Sequence, residues 1–243
     1  MLACRHYVIT GEATPYYIFH PHAPRRIKKL FPHAKIIMML RNPVDRAYSH
    51  YRYHVKLGVE NLTFEKAIEA ESVRLRGKLE RMLIDPHYNS TNYKVFSYLK
   101  RGIYIEQIMR WYELFPGEQI LIIKSEEFFA NPEQCFHKVE DFLGLPRYSL
   151  KTYKKFNIGK NAVMRKDIRE RLARYFIPYN QRLYEFLGKN FDWDRQFEAA
   201  SFDYHGDPSE KIAPLQVRCD DISVMQGEIA FSEQQDRLSD GDQ

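Results

Sequence analysis

Lys35 to Ser49 reads KIIMMLRNPVDRAYS, a stretch that packs a strand, an abrupt turn and a helix start into a few residues. Ile36, Ile37, Met38, Met39 and Leu40 form an unbroken apolar run of strand length, which predicts a strand covered on both faces in a parallel sheet. Arg41 follows where the strand stops. Asn42 is a favoured N-cap and Pro43 a favoured first helical residue, so a helix is predicted to begin there, with free N–H groups and its positive dipole end beside Arg41. Such a corner attracts phosphate. Val44, Ala47, Tyr48, Tyr51 and Val55 then recur at helical spacing as an apolar face, leaving Ser49 beside that stripe, near the second turn. Its hydroxyl would join Arg41 on one anion. On these two residues alone, a plain turn followed by a surface serine is the favoured account.

Outward from this stretch the order of elements is α/β. Tyr7–Thr10 reads as a short strand ended by Gly11, with Glu12 just past it, at the carboxyl edge where open parallel sheets keep their ligands. A brief helix follows around Arg25 to Phe31, with Ile27, Leu30 and Phe31 inward and Pro32 closing it. Beyond the central helix, Thr63 opens a charged helical stretch over Glu65 to about Leu83, and Asp85 to Tyr93 reads as a loop. Phe96 to Phe115 is a long amphipathic region closed by Pro116-Gly117, and Gln119 to Lys124 (QILIIK) is a second buried strand. Asn131-Pro132 repeats the cap-then-proline start of a helix that stops at Gly144, and a last long helix runs from Ile168 to Leu187 before Gly188.

The chain has 243 residues, 44% hydrophobic and 14% aromatic, which is enough for one sizeable core. Its three cysteines, Cys4, Cys135 and Cys219, form no CxxC pair, so neither a disulfide framework nor a zinc site is indicated and a reducing, cytoplasmic setting is expected. No stretch reaches the ~18 apolar residues of a membrane span, and no membrane segment is expected. The net charge of +5 is unevenly spread. From Asp203 to Gln243 ten acidic residues outnumber three basic ones, so the body before them is strongly basic and suited to anionic ligands. Residues 1–200 are expected to be the folded domain and 201–243 an acidic, loosely ordered tail.

Several chemistries are disfavoured. His50 and His54 have metal-compatible spacing, yet there is no HExxH and no third ligand, so they read as non-metal histidines. No Gly-Lys pair sits in a Walker loop. Tyr48, Tyr51 and Tyr53 alternate with Arg46, Arg52 and Lys56, but an amphipathic helix explains them and no nucleic-acid partner is expected.

Three blocks, GEATPYYIFHP from Gly11, LRNPVDRAYSHY from Leu40 and RGIYIEQIMRWYELFPGEQILIIKSEEFFANP from Arg101, resemble successive blocks of the sulfotransferases that use 3′-phosphoadenosine 5′-phosphosulfate (PAPS), especially the bacterial and heparan-sulfate-type branch. The similarity runs from about Val8 to Trp193. It implies a P-loop-nucleotide-kinase-like α/β fold and transfer of a sulfuryl group from PAPS, without a metal, to a hydroxyl or amine of a carbohydrate or small-molecule acceptor. By the same resemblance Arg41 and Ser49 would hold the 3′-phosphate, Gly159 and Lys160 would touch it, and Glu12 would be the catalytic base.

One departure lies at the front. The family begins with a strand and a loop that wraps the 5′-phosphosulfate and supplies a lysine, and Met1 to Gly11 holds no such loop. The chain is therefore expected to be truncated at its N-terminus, to bind the 3′-phosphoadenosine end weakly and to turn over slowly or not at all. Tyr7–Thr10 and Lys35–Leu40 are expected to expose unpaired edges and apolar side chains. A different class, a non-catalytic basic module binding anionic glycan or nucleic acid, would show affinity that falls steeply with salt and ignores adenosine bisphosphate.

Overall fold

The computed structural model describes residues 9–153 and 163–194, all within one compact unit, Met1–Ala200. In chain order the elements are α1 (Ala23–Leu30), β1 (Ile36–Leu40), α2 (Pro43–Lys56), α3 (Phe64–Leu75), α4 (Lys78–Ile84), α5 (Thr91–Val95), α6 (Tyr104–Tyr112), β2 (Ile120–Lys124), α7 (Ser125–Ala130), α8 (Pro132–Leu143) and α9 (Lys166–Leu187). A single 3-10 turn, Lys100–Gly102, leads into α6. β1 and β2 pair in parallel, Ile36 opposite Ile120 and Leu40 opposite Lys124, so the expected α/β architecture is present. None of the helices among the described residues is long and apolar enough to cross a membrane.

The core lies on one face of this sheet. Met38 and Leu40 point into it, beside Val44 and Ala47 of α2, Ile105, Ile108 and Trp111 of α6, and Leu172, Phe176 and Leu183 of α9. Each such side chain, fully buried, stabilises the fold by roughly 1.5–3 kcal/mol. On the opposite face Ile37 is 42% and Met39 49% exposed. The expectation of a strand covered on both sides is thus corrected to one covered face, and the expected exposure of apolar side chains on β1 is observed. Of Tyr7–Thr10, Ile9 and Thr10 are described, and neither is in a strand; Tyr7 and Val8 lie outside the described residues, as does the acidic tail.

Local signals set most helix ends. Asn42 caps α2 through its side chain, Thr63 caps α3 and Asn131 caps α8, while Gly144 and Gly188 close α8 and α9 with φ of 71° and 61°, where glycine has no Cβ to clash. Four expectations differ from the structure. The stretch from Glu65 to Leu83 breaks at Arg76-Gly77, where Arg76 leaves the helical region with ψ of 127° and Gly77 takes a φ of 67° ahead of α4. The Phe96–Phe115 region is a turn followed by a shorter helix. In α1, Ile27 packs against the core, but Leu30 and Phe31 are 69% and 63% exposed. Val55 of α2 is exposed too, because the core ends short of the helix C-terminus.

Gly102 is where α6 meets α2 and α9. A Cβ at this position would lie 2.8 Å from two ring carbons of fully buried Phe176 and 3.2 Å from Cβ of Pro43. Gly102→Ala is therefore expected to destabilise the fold by about 1–3 kcal/mol through overpacking. A lowered urea midpoint at unchanged m-value is the corresponding observation.

Candidate functional site

The site is built around the peptide corner that leaves β1. Arg41 is exposed, and its guanidinium makes no hydrogen bond or ion pair among the described residues. Its backbone is held firmly: the Arg41 carbonyl accepts a hydrogen bond from the Tyr104 hydroxyl at 2.9 Å, and the next N–H, of Asn42, donates to Glu126 Oε1 at 2.8 Å. The Asn42 side chain in turn accepts from the N–H groups of Val44 at 2.9 Å and Asp45 at 3.4 Å, and the Arg46 N–H donates to the Asn42 carbonyl at 2.9 Å. Pro43 has no N–H. The expectation of free N–H groups at this helix start is therefore corrected. The first donors are engaged, those of Val44 and Asp45 within the turn and that of Asn42 by Glu126, so an anion here meets the helix dipole and the side chains rather than a backbone cradle.

Ser49 is exposed on α2, and its hydroxyl makes no hydrogen bond among the described residues. It lies seven residues past Asn42, about 10 Å further along the axis, and seven residues bring a helix back to nearly the same side. Arg41 thus precedes the cap of α2, and Ser49 lies on its second turn, on the side of Asn42. One turn before Ser49, Asp45 is paired with Arg169 of α9 at 2.6 Å, which neutralises this acidic residue of the first turn of α2. Sequence reading missed Arg169, since its partner is 124 residues away.

Glu12 is exposed, and its Oε1 accepts a hydrogen bond from the Thr14 hydroxyl at 2.5 Å. No hydrogen bond or ion pair joins it to Arg41 or Ser49. The segment that follows is fixed to the body: Phe19 stacks on Tyr93 with centroids 4.5 Å apart, and the Ile18 and Phe19 carbonyls accept from Trp111 Nε1 and Arg110. Arg101 lies over the rings of Tyr16 and Phe19. Glu12 thus sits at the free end of an anchored turn rather than at the end of a strand. Gly159 and Lys160 lie outside the described residues.

Behind the corner the charges are buried and mostly matched. The Arg46 guanidinium donates to the Tyr98 carbonyl and lies 3.4 Å from His50 Nδ1. Burial, followed by the charges of Arg46 and Arg101, pushes His50 down to about 2, so this imidazole is neutral, and its ring packs 4.8 Å from that of His54 and edge-on to Tyr98. Glu71 of α3 accepts from the Leu99 and Lys100 N–H groups at 2.6 and 2.8 Å and so ties down the turn ahead of Gly102. Burial raises Glu71 to about 7 against the pull of those donors and of Arg46. Glu60, also buried, accepts from Arg74, from the Tyr98 hydroxyl at 2.8 Å and from the Leu62 N–H at 3.0 Å.

Comparison with known proteins gives the family. Residues 12–175 match the family model of the sulfotransferase domain. The chain is 31% identical to a crystallised sulfotransferase from Alicyclobacillus acidocaldarius, with a TM-score of 0.62 over 76% of this chain and 67% of that one. It is 28% identical over 76% of its length to the membrane-associated sulfotransferase kil1 of Dictyostelium discoideum, covering 53% of that protein. It is 27% identical over 76% of its length to human heparan sulfate glucosamine 3-O-sulfotransferase 3B1, covering 50% of it. The chain spans about half the length of these two curated relatives.

Proposed function

The chain belongs to the sulfotransferase family, and on that premise we propose that it serves transfer of a sulfuryl group from PAPS to a hydroxyl or amine of a carbohydrate or small-molecule acceptor. The observation that supports this reading is the exposed Arg41, without an ion pair among the described residues, at the positive end of α2, with the exposed Ser49 on the second turn of that helix. Those two residues would hold the 3′-phosphate, the group that distinguishes this donor from an adenosine nucleotide lacking it. The donor supplies an activated sulfuryl group and leaves as 3′,5′-adenosine bisphosphate. Glu12 would take the proton of the acceptor O–H or N–H as that oxygen or nitrogen attacks sulfur. Its second carboxylate oxygen makes no hydrogen bond among the described residues, which leaves it open to an acceptor.

A carbohydrate acceptor is supported by the heparan sulfate glucosamine relatives and by the basic body. The odd cysteine count supports a reducing compartment. Calorimetry tests the donor site: 3′,5′-adenosine bisphosphate is expected to bind more tightly than 5′-AMP, and Arg41→Ala to abolish the difference. A charge-assisted hydrogen bond is worth about 1.5–3 kcal/mol, so the loss is roughly tenfold to a hundredfold. Equal affinity of the unaltered chain for the two nucleotides would remove Arg41 and Ser49 as a selective pair.

A further inference from the structure

The peptide group between Arg41 and Asn42 has both polar atoms taken by side chains from distant elements, the carbonyl by Tyr104 of α6 and the N–H by Glu126 of α7. Past the last rung of a strand ladder a backbone group ordinarily turns to water or to a neighbouring turn. Here the sequence spends two residues on one peptide. Tyr104 is buried, its ring 5.8 Å from that of Trp193, and the close approach at Gly102 brings its helix up against Pro43. Glu126 is half-buried, and its second oxygen is shielded from solvent with no hydrogen-bond partner. Leaving a buried acceptor unmet costs about 1–3 kcal/mol. Nor does this carboxylate form an ion pair with the neighbouring Arg41, the obvious way to stabilise it; it holds the amide instead.

We infer that Tyr104 and Glu126 are positioning residues that lock the Arg41–Asn42 peptide plane and thereby aim the Arg41 guanidinium at the 3′-phosphate. The inference rests on the reading of Arg41 given above. A planar peptide leaves the chain only φ and ψ to rotate, so fixing both ends of one plane fixes the direction in which the arginine leaves the backbone. The guanidinium stays free for ligand, because its own backbone is what the neighbours hold. Less freedom is then lost on binding, which is the general gain from preorganisation.

The test is calorimetry of the full chain with 3′,5′-adenosine bisphosphate and 5′-AMP, each variant first shown to unfold cooperatively well above the temperature of measurement. Tyr104→Phe is expected to weaken bisphosphate binding about fivefold to tenfold, the worth of one neutral hydrogen bond, and to leave 5′-AMP affinity unchanged. Glu126→Ala should do the same, and Glu126→Gln, which keeps an acceptor oxygen, should restore most of the loss. In an Arg41→Ala background Tyr104→Phe should have no further effect, since it acts through that arginine. Equal weakening of both nucleotides by Tyr104→Phe, or a loss that persists without Arg41, overturns the positioning role and leaves the donor site standing. Arg41→Ala that leaves the selectivity intact overturns the donor-site reading itself, and the inference with it.

Discussion

Exchanging Glu12 for glutamine is expected to slow sulfuryl transfer by about two to four orders of magnitude, the range that a positioned general base supplies. The substitution keeps the size of the side chain and an oxygen to accept from Thr14, so it removes proton-accepting capacity and little else. An alcohol is a poor nucleophile until its proton leaves, and the Thr14 hydroxyl beside Glu12 is too weakly basic to replace a carboxylate. Affinity for 3′,5′-adenosine bisphosphate should be unchanged, since the nucleotide corner and Glu12 share no hydrogen bond. Product formed from labelled PAPS is the measurement. Transfer that continues at the parental rate in Glu12→Gln would assign the proton to another group.

The second large effect is on stability. Arg74→Ala leaves the Glu60 carboxylate, whose side chain is 1% exposed, without its counter-charge. Breaking a buried pair from one side costs about 3–5 kcal/mol, on the order of 10 °C in Tm for a domain of this size. The Tyr98 hydroxyl and Leu62 N–H would still donate, which favours the lower end of the range. The loss should also depend on pH. Burial works to raise Glu60, but the hydrogen bonds from Arg74, Leu62 and Tyr98 outweigh it and hold the carboxyl down at about 2. A depressed carboxyl contributes stability that is fully present above the ordinary carboxylate range and is lost as pH falls toward 2. Thermal unfolding of the parent and of Arg74→Ala should therefore differ strongly at pH 7 and converge toward pH 2 to 3. A constant gap across that range would mean that the arginine stabilises by packing on Phe96, whose ring centroid it approaches to 4.3 Å, rather than by charge.

What could be read from the sequence was local. The apolar run of β1, the Asn42 and Asn131 caps and the closing glycines of α8 and α9 depend on residues a few positions apart, and each appears where expected. The exposure of Leu30 and Phe31 was not legible, because an apolar residue at helical spacing says which face it shares and not whether anything covers that face. At the site, Arg41 and Ser49 stood out through their place in one short stretch. The clamp on the Arg41–Asn42 peptide did not, since its partners lie 63 and 84 residues away. Even the error at the helix start had a local cause: the asparagine that marks where α2 begins is the same group that consumes the donors thought to be free.

That last arrangement bears on how the protein could change over generations. A backbone cradle passes through almost any substitution unaltered, because every residue type carries the same amide. If the proposed donor site is right, a corner whose amides are already spoken for recognises its nucleotide through atoms that a single codon change replaces. Preference for one phosphorylated adenosine over another is then open to drift at Arg41 and Ser49, both exposed, while the strand, cap and helix that present them stay as they are.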